Sequence, residues 1–521
     1  MNRLTRYADT LFFLFLFVLP FQTVYLWREP MVGSAKWQYG TIGIYLSSII
    51  LAVAIMIGAI LKVKMSKKER IGVRMNNLWR ERKTDAFLLL FVLWSGLSIL
   101  WARDTLLAGY TFMKILLAAD AFIMTRDMVR RGKMRQIVSV LFVAAMIQSV
   151  IGIGQFLTQE TFSSTLLGTS TYESWQSGTS VLKNDTGRFL RAYGTFPHPN
   201  MYGLFLAVVL LIVTERIDSF VLTPQSRRLD SSPPKGERAT LNICNYNTLT
   251  WLGIILPPPL CEGRIEEEYI SKKQAFCNRI VILFGILIIL LGLILSFSRL
   301  AWGGFALGFI FLAWRSLSNT CFCHPGLDPG SKKESIEDSG SKAGMTWKYP
   351  LAIFATVIIA TAIFTGILRE TVFPRFDGGV VDREGSVVDR MSTYRDAFQI
   401  VRAHPFLGVG AGNETAELIR LSPGRPIWDI QPAHDVPLLI LSELGIPGFV
   451  FSLCFFWFLL SSIMKKKGIS NTGKSLAIAV LPSILPSLLL DHFLWDSNFG
   501  LLFLFVLLGL TFDTKHNLKK P

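Results

Sequence analysis

Charge is scarce in this chain: 17% of its 521 residues are Asp, Glu, Lys or Arg, against 51% hydrophobic. Disorder needs the opposite balance and a soluble domain needs more charge, so neither describes the bulk of the chain. Cysteine is scarcer still, with six residues. Cys244, Cys261, Cys277, Cys321 and Cys323 fall in segments read as cytoplasmic and Cys454 in an apolar run, so no disulfide is expected. Metal-ligand spacing is lacking too. Cys321, Cys323 and His324 match no common zinc pattern, which leaves neither a metal site nor a cofactor to expect. The stretch Leu11 to Leu26 has no small-residue cleavage site and reads as a first membrane span, not a secretory signal.

What the sequence has is long apolar runs. Twelve lie at roughly 10–26, 39–61, 85–101, 105–124, 137–157, 199–214, 280–298, 300–314, 349–368, 436–463, 475–490 and 498–512. Each is near the length a helix needs to cross about 30 Å. The period-two alternation of a barrel is absent, so the expected fold is an all-α polytopic membrane protein of about 12 transmembrane helices. With the N-terminus placed in the cytoplasm, the cytoplasmic loops hold 37 of the 53 Lys and Arg and the opposite loops 15. That asymmetry follows the positive-inside rule and puts both termini in the cytoplasm. The formal net charge of +16 is thereby explained as topology, and nucleic-acid binding is not expected.

The expected organisation is an N-terminal bundle with its first outer loop over 1–198, then central spans over 199–368. A large outer loop follows over 369–435, and C-terminal spans over 436–521. Cytoplasmic insertions occupy 215–279 and 315–348. Within them, 222–248 and 322–346 have the composition of disordered segments, and the proline-rich 249–260 suits an interfacial or re-entrant role.

Polar residues hard to explain by packing cluster on the outer side. RAYGTFPHPNMYG carries Arg191, His198 and Asn200 into a span, with prolines and glycines fixing a tight re-entry. The bland reading there is a capped turn. LSFSRLAWGG places Arg299 between two apolar runs, where an arginine needs a partner: lipid phosphate, or an anion held by a clamp facing the bundle interior. In the large loop, Met391, Tyr394, Phe398 and Val401 recur at helical spacing, with Arg390, Arg395 and Arg402 on other faces. That amphipathic helix stops at His404-Pro405. A second short helix is expected from Asn413 to before Pro423. The arginines of this loop suit an anionic ligand better than a solvated face. His434 stands immediately before the next span, near several arginines, where it would stay neutral and able to accept a proton.

At RAYGTFPHPN, SFSRLAW, HPFLGVGAGN and HDVPLLILSELGIPG the sequence resembles the O-antigen ligase and polymerase superfamily of bacterial envelope glycan enzymes, across roughly residues 188–448. The family usually shows glycine in place of Pro197 and more often asparagine in place of Asp435. The resemblance implies a GT-C-like inner-membrane glycosyltransferase that works without a bound metal. It would move a glycan from undecaprenyl diphosphate to an acceptor on the periplasmic face. The acceptor is the lipid A core in the ligase branch and a further repeat unit in the polymerase branch; a protein O-oligosaccharyltransferase is a third member type. Arg191 and Arg299 would correspond to the family's essential arginines and His434 to its essential histidine. His198, Asn200, Arg390, Arg395, Arg402 and His404 are expected to bind substrate. A lipid-linked glycan transporter is the non-enzymatic alternative; it would call for charged residues in mid-membrane helices, of which Lys114 and Asp120 are one pair, and an internal repeat, which the sequence lacks.

Overall fold

The computed structural model describes residues 3–65, 78–184, 187–221, 264–321, 348–367, 380–465 and 471–512. Most of the expected insertions and the 249–260 segment lie outside these residues, as do Cys323, His324, Lys466, Lys467 and the lysines beyond residue 512. A helix lies on each of the twelve apolar runs: α1 Arg3–Val18, α2 Leu46–Met65, α3 Leu78–Leu97, α4 Thr105–Arg130, α5 Met134–Thr158, α6 Pro199–Val221, α7 Arg264–Leu295, α8 Arg299–Cys321, α9 Lys348–Ile367, α12 Val436–Lys465, α13 Asn471–Leu490 and α15 Asn498–Leu510. Between them stand α10 Val380–Ala403, α11 Glu414–Leu421 and the single turn α14 Phe493–Asp496. Six of the described helices are long and apolar enough to cross a membrane by length and composition, and no sheet is closed. The fold is that of an all-α polytopic membrane protein.

Two spans begin or end elsewhere than the hydropathy suggests. The first helix stops at Val18, before Pro20, and the apolar residues beyond it form strand β1 (Val24–Arg28), which pairs with β4 (Ile42–Tyr45) ahead of α2. Val24 stands opposite Tyr45 and Tyr25 opposite Ile44 as cross-strand neighbours, and a short hairpin of β2 (Met31–Val32) and β3 (Ala35–Lys36) fills the turn. Hydropathy alone cannot separate such a strand from the end of a span.

Contacts divide the chain into a main body, residues 1–215 and 287–521, and a second unit, 216–286. In the main body α6 is central: Leu204 to Leu211 are fully buried, as expected of a helix apolar on every side. Around it α8 packs on α13, α12 on α3, α15 on α4 and α1 on α2. Lys114, the charge within α4, is buried and donates to the Asp496 carbonyl at 2.7 Å. That bond ties α4 to the seven-residue turn between α13 and α15.

On the face that carries His434, Trp37, Leu107, Ile400, Leu418, Ile427 and Ile430 form a small core that joins the hairpin loop, α4, α10 and α11. The apolar stripe expected on α10 is not its buried face. Thr393, Ala397 and Ile400 are buried, whereas Met391 and Phe398 are about half exposed. The core takes the Ile400 edge of α10, which leaves the Met391 and Phe398 edge facing outward.

Candidate active site

The loop after α5 ends in strand β6 (Gly187–Leu190), paired with β5 (Val181–Asn184), and then in an irregular strap over residues 191–198. Two glutamines of α5, buried in an otherwise apolar helix, hold the strap. Gln155 donates to the Gly194 carbonyl at 2.7 Å and accepts from Tyr193 N, while Gln148 donates to Thr195 Oγ1 and accepts from its N–H. Gly194 takes φ 61°, and a Cβ there would stand 2.5 Å from Gln148 Oε1, so only glycine fits this bend.

The strap delivers Arg191 into the protein, where it is 5% exposed. Its Nε donates to the Ser296 carbonyl at 2.8 Å and its Nη2 to Asn200 Oδ1 at 3.1 Å. Ser296 offers that carbonyl from the turn between α7 and α8, where Phe297 adopts a left-handed φ of 46° although fully buried. Such a conformation in a residue other than glycine costs about 1–3 kcal/mol and is retained where packing over-determines it, here between Phe156 and Trp302. Ser298 precedes α8, its hydroxyl accepting from Ala301 N and donating to Asn200 Oδ1 at 3.0 Å. Arg299 follows as an exposed side chain. The turn that buries Ser298 rotates the next residue outward, so Arg299 does not face the bundle interior as expected; it stands at the rim beside the buried group.

His198 takes the bland role. Its Nδ1 accepts from Asn200 N at 3.1 Å and its Nε2 lies 3.0 Å from Ser180 Oγ, which is the neutral tautomer capping the entry to α6. Burial, with Arg191 nearby, pushes its ring down to about 4. Asn200 then acts as a connector. Besides accepting from Arg191, it donates through Nδ2 to Asp491 Oδ2 at 3.0 Å.

Asp491 leads to the second half of the site. Its Oδ1 accepts from the His492 N–H at 2.9 Å and lies 3.9 Å from His434 Nδ1. The rings of His434 and His492 pack with centroids 4.7 Å apart, and His492 Nδ1 lies 2.9 Å from Asp496 Oδ2. Tyr394 of α10 donates its hydroxyl to the His434 carbonyl, and His434 Nε2 faces Gln431 Oε1 at 3.4 Å. The two imidazoles are driven apart. Burial and the neighbouring His492 push His434 down to about 4, so it is neutral. Burial also opposes charge on His492, but Asp496 and Asp491 outweigh it and push that ring up to about 9. Asp491 sits below the usual carboxylate range; burial opposes this, and the His492, His198 and His434 rings with the Asn200 amide overcome it.

The expected residues thus divide. Arg191, His198, Asn200 and His434 belong to one continuous set of contacts running Arg191, Asn200, Asp491, His434. Arg390 is half-buried and close enough to His434 to act on it electrostatically. Arg395 and Arg402 are exposed on α10, and His404 lies 3.7 Å from Glu417 Oε1 instead. Asp491, His492 and Asp496 were not singled out in the sequence. Their signal is a pair of acids and a histidine packed into a short turn, DHFLWDS, between two apolar runs on the side where His434 lies.

Asn413 precedes α11 as expected, but its side chain does not cap that helix; it accepts from Asp104 N at 2.7 Å and donates to the Asp104 and Ala411 carbonyls. Glu414 beside it is fully buried, accepting from Ala433 N and Ser442 Oγ, and burial pushes its carboxyl up to about 8. This acid braces α11 against the residues just before His434.

His434, Asp491 and His492 each offer a ligand atom within 4.8 Å of one another, a set that could hold a divalent ion. In this arrangement the partners are largely engaged already: His492 Nδ1 on Asp496, and the Asp491 oxygens on Asn200 and the His492 amide.

Residues 284–453 match the family model described as O-Antigen ligase. The match covers the Ser296 to Arg299 turn, α10 and His434, while Arg191 precedes it and Asp491 follows it. No curated protein matches the chain.

Proposed function

We propose that this chain, whose residues 284–453 match the O-antigen ligase family model, belongs to the O-antigen ligase and polymerase superfamily and transfers a glycan from undecaprenyl diphosphate to a sugar hydroxyl of the lipid A core. The transfer takes place on the periplasmic face of the bacterial inner membrane. The observation that carries the reading is the link from a buried guanidinium to a neutral imidazole through Asn200 and Asp491.

The chemistry follows from the charges. The acceptor oxygen attacks the anomeric carbon as the bond from that carbon to the diphosphate oxygen breaks. Negative charge then grows on the departing diphosphate, and Arg191, held rigid by two acceptors, meets it with no reorganisation. Arg299 at the rim and Arg390 near His434 supply further positive charge to a dianionic group. The acceptor hydroxyl is a poor nucleophile, and its proton goes to His434. The ring is neutral and so has a nitrogen free to take that proton. Asp491, 3.9 Å from Nδ1, stabilises the imidazolium through space as it forms. One displacement by the hydroxyl inverts the anomeric centre.

The test is glycan transfer by the full chain in vesicles carrying the lipid-linked donor, with and without a chelator. His434→Ala is expected to lower kcat by about 10²–10⁴-fold while the protein still inserts and binds donor. Wild-type transfer is expected to be unchanged by the chelator. Normal transfer by His434→Ala removes the base from the mechanism, and loss of transfer on chelation replaces proton transfer by a metal at the same three ligands. The acceptor is read from the product: capped lipopolysaccharide for the ligase, lengthened lipid-linked repeats for a polymerase.

A further inference from the structure

Beside the strap lies a cavity of about 170 Å³, where the loop before α2 meets the loop after α5. No charged side chain lines it, which sets it apart from the arginine and histidine cluster and excludes a phosphate as its natural occupant. Its wall is aromatic on one side: Tyr172 and Tyr193 stack with centroids 5.4 Å apart and planes 23° from parallel, and Tyr45 stands with them. The rest is neutral and polar, from Gln22, Thr169 and Ser170.

Flat aromatic faces beside neutral hydroxyls and an amide match a ring whose C–H bonds crowd one face and whose hydroxyls line its edge. Thr169 Oγ1 strengthens the case. It is a buried atom with no hydrogen-bond partner, in a residue of the cavity wall, and native proteins seldom leave such an atom unmet. The cavity also belongs to the strap. The Tyr193 hydroxyl accepts from Ser180 N at 2.7 Å, and Ser180 Oγ lies 3.0 Å from His198 Nε2, so the wall is two contacts from the residue that positions Asn200.

We propose that this cavity binds one neutral sugar ring of the glycan substrates, stacked on Tyr172 and Tyr193 and hydrogen-bonded to Thr169. The identity of that sugar rests on the transferase reading; its binding does not.

The experiment is saturation-transfer NMR on the full chain in nanodiscs, with methyl glycosides of neutral hexoses and with sorbitol as an acyclic control. Ring sugars are expected to show contact that sorbitol lacks. Tyr172→Ala should abolish it and Thr169→Val should weaken it, while Tyr172→Phe, which keeps the ring, and His434→Ala should retain it. Equal signals for glycosides and sorbitol, or an unchanged signal in Tyr172→Ala, would overturn the proposal. In transfer assays Tyr172→Ala should raise one KM about tenfold with kcat within about twofold. Movement of the donor KM assigns the ring to the lipid-linked glycan and movement of the acceptor KM to the acceptor; movement of neither counts against the subsite. Absence of glycan transfer by the wild-type chain would end the transferase reading and leave the sugar contact standing.

Discussion

Two regions of this molecule carry clusters of cationic side chains on one face, and they are built on opposite rules. In α10 and its surroundings the arginines are at the surface or paired locally: Arg395 and Arg402 are exposed, Arg420 pairs with Glu417, and Arg425 lies 2.6 Å from Asp396. At the strap, Arg191 is buried and each of its described contacts leads to another polar group that is also buried or half-buried. The density of arginine in a sequence therefore says little about where an anion is held. A guanidinium taken out of water must have its donors met, so the buried one is the candidate for a prepared anion site and the exposed ones lie on a surface.

That contrast can be broken by substitution. Arg191→Ala is expected to cost about 10²–10³-fold in kcat, the usual loss when one charge-stabilising donor is removed, with membrane insertion unchanged; quantitative transfer in vesicles measures it. Asp491→Asn should cost less, about 10- to 100-fold. The aspartate of a hydrogen-bonded triad accounts for about 10⁴, but 3.9 Å is outside hydrogen-bond range and the carboxylate acts on His434 mainly through space. Arg395→Ala and Arg402→Ala should each leave kcat within about twofold, because surface charges are largely screened by salt. A loss above tenfold in either would place the anion on α10 and reverse the comparison.

Much of this site was legible before any coordinates. Arg191, Asn200 and His434 announce themselves as polar residues at the ends of apolar runs, where a bland explanation is hardest to find. The helix on each apolar run follows from period and length alone. What the sequence hid is what depends on the third dimension. Asp491 and His492 follow Arg191 by some 300 positions, and only the packing of α13 and α15 around α6 brings them to Asn200. Gln148 and Gln155 look like tolerated polar residues in a span until the strap they hold is seen. The exposure of Arg299 is equally hidden in the sequence: a one-residue difference in helix phase separates the buried Ser298 from the exposed arginine. The strand Val24–Arg28 was read as part of a span because apolar β-branched and aromatic residues satisfy both readings.

The central claim is that His434 receives the proton while neutral, beside a cationic His492. Neutral His434 requires pH above about 4 and charged His492 requires pH below about 9, so kcat/KM should be flat between these limits and fall outside them. The direct measurement is this profile in the His492→Asn variant. Removing the neighbouring positive charge relieves His434, so its folded value rises toward the ordinary imidazole range near 6.5 and the acidic limb should move up by about one unit or more. An acidic limb that stays where it is, or moves down, would contradict the account.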